Sequence, residues 1–363
     1  MSEPLFSDFP PASKDRWKQQ AFSELRGKDF NETLLWQTPE GLSLQPYYTD
    51  EDLENLPLAA IQAAQKQTPG WEARAEFLVE DEREANQLAR EALTNGADAV
   101  AFDLRHTNPE TLNLPRLLDG IKLSDSPVTF RLAGSASWLI RELKKAIGYQ
   151  WRGSLHDTQA VAWEELVEIF NQTDDSPGFR VATIHNATPQ PVEALTEVLA
   201  YLTELLHQLT ERGLNAAQVL GRLEFSLSVG SDYYTELAKI RALRFLVARV
   251  AQAYEAVPTP IFVHAITLHA VPHADAADFT DIVRTTTEAI SVLAGGCDAL
   301  TVSSLHHPDA FSRRLARNVS NLLRHESYFA QVADPAAGSY FLETLTWELA
   351  QKAWEKFVAH QQA

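Results

Sequence analysis

From about residue 70 onward, hydrophobic and polar positions follow two alternating rhythms. Short apolar or two-residue-period runs are each followed by a longer stretch in which apolar residues recur every three or four positions, and the pair repeats roughly every 25 to 45 residues. The short runs predict strands at Trp71 to Val79, Ala97 to Leu104, Pro127 to Leu132, Trp151 to Leu155, Phe179 to Ile184, Leu223 to Val229, Ile261 to Leu268 and Asp298 to Ser303. The longer stretches predict helices. Val192, Leu195, Leu199, Leu202, Leu206 and Leu209 share one helical face, and Gly213 follows where a left-handed C-terminal residue is wanted. Tyr233, Leu237, Ile240, Val247, Val250 and Tyr254 form a second stripe behind Ser231 and Asp232, either of which can cap the free amides of a helix start.

Eight strands alternating with helices, joined by right-handed crossovers, close most economically as an α/β fold of the (β/α)8 TIM-barrel type. An open doubly wound sheet is the alternative. The chain carries neither Gly-x-Gly-x-x-Gly nor Gly-x-x-x-x-Gly-Lys-Ser/Thr, so no nucleotide fingerprint favours the open sheet. The expected organisation is an N-terminal arm over residues 1–70 and a barrel with C-terminal helices over residues 71–363. In the arm, Pro4, Pro10, Pro11, Pro39, Pro46, Pro57 and Pro69 interrupt short helical pieces such as Lys14 to Arg26. Its apolar residues Phe6, Phe9, Trp17, Phe22, Phe30, Leu34, Leu35 and Trp36 lie in a stretch too interrupted to build its own core, so the chain's own barrel or another subunit has to cover them.

Composition narrows the class. The 363 residues include 45% apolar and 22% charged residues, enough to bury a sizeable core. With 31 lysines and arginines against 49 aspartates and glutamates, the net charge of −18 opposes binding to nucleic acid or to an anionic membrane surface. The single cysteine, Cys297, excludes an intrachain disulfide and a cysteine-rich zinc site, which suits a reducing, cytoplasmic setting. Neither a signal segment at Met1 to Pro11 nor a run of ~20 apolar residues is present.

In a barrel the working groups sit just past the C-terminal ends of the strands, which directs attention to His106, His156, His185, His269, His306 and His307. Converging imidazoles with Asp103, Asp157 or Asp275 would make a metal-dependent barrel hydrolase. Against that, no strand carries His-x-His, and adjacent His306 and His307 would point apart on an extended strand, so no metal is expected. Asp174 with Asp175, and Glu80 with Asp81 and Glu82, read as solvated charge, and Trp71, Trp138, Trp151 and Trp347 read as core.

Three segments carry a family resemblance. Ile282 to Ile290 (IVRTTTEAI), Phe311 to Asn318 (FSRRLARN) and Asp334 to Thr346 (DPAAGSYFLETLT) resemble consecutive signatures of the methylmalonyl-CoA mutase family, in matching order and spacing. Val100 to Leu104 is similar to an early barrel strand of that family, and Tyr233 to Ala242 to its helix after the sixth strand. Phe9-Pro10-Pro11, Gly27-Lys28-Asp29-Phe30 and Gln45-Pro46-Tyr47-Tyr48-Thr49 in the arm resemble the small (beta) subunit of the heterodimeric enzyme, and the likeness runs from about residue 4 to 360.

The resemblance implies a barrel that threads an acyl-CoA along its axis, normally followed by a domain that binds adenosylcobalamin. The cobalamin motif Asp-x-His-x-x-Gly occurs nowhere in this sequence. The resemblance therefore implies no cobalamin-binding domain here, and adenosylcobalamin in the partner, a catalytic large subunit. Where catalytic relatives carry a Tyr-His pair, this chain reads Ile184-His185-Asn186-Ala187, and where they carry Gly-Thr-Ile-Gln it reads Gly153-Ser154-Leu155-His156. Trp71-Glu72-Ala73-Arg74 replaces the loop that clasps CoA and the substrate carboxylate. The expectation is a non-catalytic small subunit, with His185 as the one candidate catalytic group and His156 and His185 as candidates for acyl-CoA binding. Two alternatives are kept open: the catalytic barrel of a split acyl-CoA mutase with cobalamin on a separate chain, and a piece of a longer subunit divided near residue 360.

Overall fold

A computed structural model describes residues 13–257, 259–267, 278–303 and 309–362. Nine parallel strands form one sheet: β1 Glu72–Leu78, β2 Ala99–Asp103, β3 Val128–Arg131, β4 Gly153–His156, β5 Phe179–Arg180, β6 Ala182–Asn186, β7 Leu223–Val229, β8 Phe262–Thr267 and β9 Ala299–Thr301. Neighbours pair in chain order, and β9 returns to β1 through Ala299 with Glu72 and Leu300 with Ala73.

The predicted fifth strand is split into β5 and β6, one on β4 and the other on β7, so the nine segments make the eight staves of a (β/α)8 barrel. Side chains cause the break. The Val181 N–H bonds the Arg222 carbonyl (2.9 Å), the Thr183 N–H bonds Thr158 Oγ1 (3.0 Å), and the Thr183 hydroxyl donates to the Leu155 carbonyl (2.6 Å). Hydroxyls thus replace the backbone ladder. Arg222 donates from Nε and Nη2 to the Phe179 carbonyl (3.1 and 3.0 Å), and burial lowers its pKa to about 10. At the start of β4, Gly153 has φ 139°, and a Cβ there would collide with the Val128 backbone, so only glycine serves.

The outer layer follows the predicted stripes. The helix Pro191–Glu211 buries Val192, Leu195, Leu199, Leu202, Leu206 and Leu209, and Gly213 takes φ 92° beyond its end. Asp232 caps the helix Tyr233–Ala253 by accepting from the Thr235 N–H (3.1 Å). That helix is buried nearly all round because the C-terminal helix Tyr340–Gln361 lies over it. The cations it brings inside are all partnered: Lys239 meets Glu236 (2.5 Å), Arg241 meets Glu343 (2.8 Å) and Asp334, and Arg244 meets Asp298 (2.5 Å).

Residues 13–70 run outside the barrel. Lys14–Leu25 and Phe30–Leu34 are helices without buried residues, and Trp36–Gln37 pairs antiparallel with Ser43–Leu44. Burial begins at Thr38, Leu42 and Leu44. From there the segment rests on the C-terminal helix, with Lys352 Nζ on the Glu40 carbonyl (2.7 Å), Tyr48 against Phe341 (5.2 Å) and Gln62 on Glu343 (3.0 Å).

Candidate functional site

Strand alternation sends every second side chain inward. On β1 this places Arg74 and Glu76 in the lumen, on β7 Glu224, Ser226 and Ser228, and on β8 His264. Arg74 and Glu224 meet as a two-pronged pair, Nη1 to Oε1 at 2.6 Å and Nη2 to Oε2 at 3.2 Å, with both side chains almost wholly buried. His156 Nε2 lies 2.8 Å and His264 Nδ1 3.2 Å from Glu224 Oε1, and the Thr301 hydroxyl holds His264 Nε2 at 2.8 Å. Burial works against the Glu224 anion, but the Arg74 charge and the two imidazoles outweigh it and hold the carboxyl well below its usual range. Burial, then the Arg74 charge, pushes His264 down to about 3, so its ring is neutral, with Nδ1 toward the carboxylate and Nε2 toward the threonine hydroxyl.

A second charged group spans the C-terminal mouth. Arg131 bonds Glu76 (2.7 Å) and Asp157 (3.1 Å), and Arg105 bonds Asp103 through Nε (2.9 Å) and Nη2 (2.6 Å). Each mouth cation is therefore neutralised by a carboxylate. A cavity of about 480 Å³ adjoins this group and is lined by Arg105, Arg131, Glu76, Ser228 and His185 among others. His185 is half-buried with Nδ1 3.2 Å from Ser226 Oγ, and burial, then the nearby His156, lowers its pKa.

The histidines named from sequence separate. His156 and His185 come together, their rings 6.4 Å apart, whereas His106 is exposed on the loop after β2. His269, Asp275, His306 and His307 lie outside the described residues. Asp103 and Asp157 belong to the mouth pairs. Of the charge runs, Asp175 pairs with Lys144 at the surface (3.3 Å), and Asp81 caps the helix Glu82–Thr94. Trp71 and Trp151 are buried, the latter edge-on to Phe179, and Trp347 is edge-on to Phe245. Burial pushes the Cys297 thiol up to about 12, which makes it an inert core group.

Strand-end reasoning missed Arg74, Glu224 and His264. Their signal was the polar phase of the alternation, Glu72/Arg74/Glu76 on one strand and Glu224/Ser226/Ser228 on another. The metal-type set among the described residues is His156, Glu224 and His264, whose ligand atoms lie within 4.8 Å of one another. Arg74 already supplies the cation there, 2.6 Å from Glu224 and 3.3 Å from His264 Nδ1, so an ion would have to displace a guanidinium.

The methylmalonyl-CoA mutase family profile matches residues 179–362. The chain belongs to the methylmalonyl-CoA mutase family. It is 30% identical over 99% of its length to a methylmalonyl-CoA mutase small subunit of Porphyromonas gingivalis, covering 65% of that protein. It is 30% identical over 97% of its length to the small subunit of Streptomyces virginiae, covering 64%, and 27% identical over 93% to a methylmalonyl-CoA mutase of Rhizobium meliloti, covering 56%. The chain thus spans about 65% of the length of the small-subunit relatives. Two mutase-like signatures of this chain are structural: Arg241, in the segment Tyr233 to Ala242, clamps Asp334 and Glu343 of the segment Asp334 to Thr346. A third is internally paired, with Arg284 on Glu288 (2.5 Å) one turn along its helix.

Proposed function

We propose that this chain is the barrel portion of a mutase small subunit that does not itself catalyse isomerisation, and that it stabilises a catalytic large subunit. The large subunit holds adenosylcobalamin and interconverts methylmalonyl-CoA and succinyl-CoA, in the cytoplasm. The observation that carries this reading is the pairing of three arginines of the lumen and mouth, Arg74, Arg131 and Arg105, with carboxylates. Moving a thioester group between adjacent carbons calls for a cation facing the free carboxylate and a donor facing the thioester carbonyl. Arg74, Arg131 and Arg105 each already hold a carboxylate of the chain itself. Ile184, at the position of the family tyrosine, is buried in the hydrophobic core.

In this reading cobalamin is held by the partner. Inside the barrel, His156 and His264 face Glu224, and His185 meets Ser226 through Nδ1. When bound in the partner, adenosylcobalamin supplies the radical chemistry. The part left to this chain is to pair, with residues 1–70 acting as the arm that reaches the partner. Mixing the chain with a purified large subunit tests this: co-elution and a longer half-life of large-subunit activity are expected, and separate elution with no change in half-life would refute it.

One observation favours a second reading, the catalytic barrel of a split acyl-CoA mutase. His185 faces the cavity and keeps a nitrogen available as a donor to an acyl-CoA carbonyl. Turnover by this chain with a free cobalamin domain would select that reading.

A further inference from the structure

The cavity is not confined to the lumen. Its walls include Arg74 and Glu76 from the inner face of β1 and Ala73, Ala75 and Phe77 from the outer face of the same strand. The seam between β1 and β9 explains this: only two residue pairs join the strands, and beyond Ala73 and Leu300 no ladder holds them together. The space therefore passes through the barrel wall and opens between the helices Glu82–Thr94 and Ala310–His325.

Outside the seam the walls are mostly apolar, with Ala73, Ala75, Ala92 and Ala97 beside Phe77 and Leu88, and Glu91, Arg313 and Ser320 also line them. Arg317 stands over them from the helix Ala310–His325. Its Nε is buried without a hydrogen-bond partner, and among the described residues no carboxylate comes within ion-pairing distance of it. Arg317 lies in the signature segment Phe311 to Asn318, to which the proposed partner role gives no task. An unpaired guanidinium at the rim of an apolar cavity of about 480 Å³ fits the head group of an amphipathic anion, because its planar fork matches carboxylate and phosphate oxygens.

We propose that this seam pocket binds a small amphipathic anion, a carboxylate or phosphate monoester on a short alkyl chain, with the head on Arg317 and the chain on Ala73, Ala75 and Ala92. The head-group position at Arg317 lies across the seam from Glu224, although the cavity reaches Arg74 of that cluster, and the inference stands whether or not the chain has a catalytic partner.

Calorimetric titration of the full chain with hexanoate, hexyl phosphate and uncharged 1-hexanol tests it. At least one anion should bind saturably at one site, at least tenfold more tightly than hexanol. A preference between hexanoate and hexyl phosphate identifies the head group. Arg317→Gln should weaken the anion at least tenfold, and Arg317→Lys should weaken it less. No saturable binding of either anion to the unaltered chain, equal affinity for hexanol, or unchanged binding in a folded Arg317→Gln chain would overturn the proposal. The hexanol comparison uses the unaltered chain and so decides the matter even where a variant fails to fold.

Discussion

Arg74 and Glu224 lie 150 residues apart in the chain and meet in the barrel lumen as a buried two-pronged ion pair. Around it, His156, His264, Ser226 and Thr301 form a polar core where a ligand-threading barrel would need open space. Buried pairs of this kind contribute little net stability, because desolvation offsets most of the attraction, but removing one partner strands a charge.

Glu224→Ala should therefore lower the free energy of unfolding by about 3–5 kcal/mol. The double change Arg74→Met with Glu224→Leu, which strands nothing, should recover most of that. Urea unfolding of the three chains checks it, and a double variant no more stable than Glu224→Ala would show that the pair is not a self-cancelling unit.

Acid should act through the same cluster. His264 is depressed to about 3 in the folded chain, so between its unfolded value, near 6.5, and about 3 the unfolded state binds the extra proton. Stability conferred by the neutral ring is complete above about pH 6.5 and is lost as pH falls toward 3, with a limiting slope of about 1.4 kcal/mol per pH unit. Glu224, also depressed, adds to the loss below the usual carboxylate range, and His185 adds in the same direction as His264. Unfolding measured from pH 7 to pH 4.5 should flatten in His264→Gln; an unchanged slope would assign the acid sensitivity elsewhere.

Gly153 offers a backbone test. With φ 139° and the Val128 backbone against its missing Cβ, Gly153→Ala should destabilise the barrel by about 2 kcal/mol or more, through strain and overlap together. Thermal unfolding within 1 °C of the parent would contradict the geometry.

Much of the barrel is legible in the sequence because its determinants are local. The alternation of Leu223 to Val229 marks that strand to the residue, the leucine stripe marks the helix Pro191–Glu211, and Asp232 caps as its position implies. The break at Val181 is not legible, since it depends on Thr158 and Thr183 meeting across two staves. The lumen was hidden for a similar reason. A strand that alternates polar and apolar can turn its polar face to solvent or to a barrel interior, and only ring closure decides which. Attention to strand ends singled out His269 and passed over His264, five residues earlier and inside the barrel.

The leading helices make a prediction about assembly. Phe22 is 56% and Trp36 53% exposed, and the helix Lys14–Leu25 buries nothing, its Trp17 resting on Tyr47 at 5.1 Å. Deleting residues 1–36 should leave the circular dichroism of the barrel intact while abolishing co-elution with a catalytic large subunit. Retained co-elution would remove the arm from the interface, and loss of folding would make these helices part of the chain's own core.

The measurement that bears most directly on the non-catalytic role is succinyl-CoA isomerisation with added adenosylcobalamin, by this chain alone, by a large subunit alone, and by the pair carrying His185→Ala in this chain. No turnover by the chain alone is expected, together with equal turnover by the parent and His185→Ala pairs. Turnover by the chain alone, or a tenfold or greater loss in the His185→Ala pair, would contradict the account.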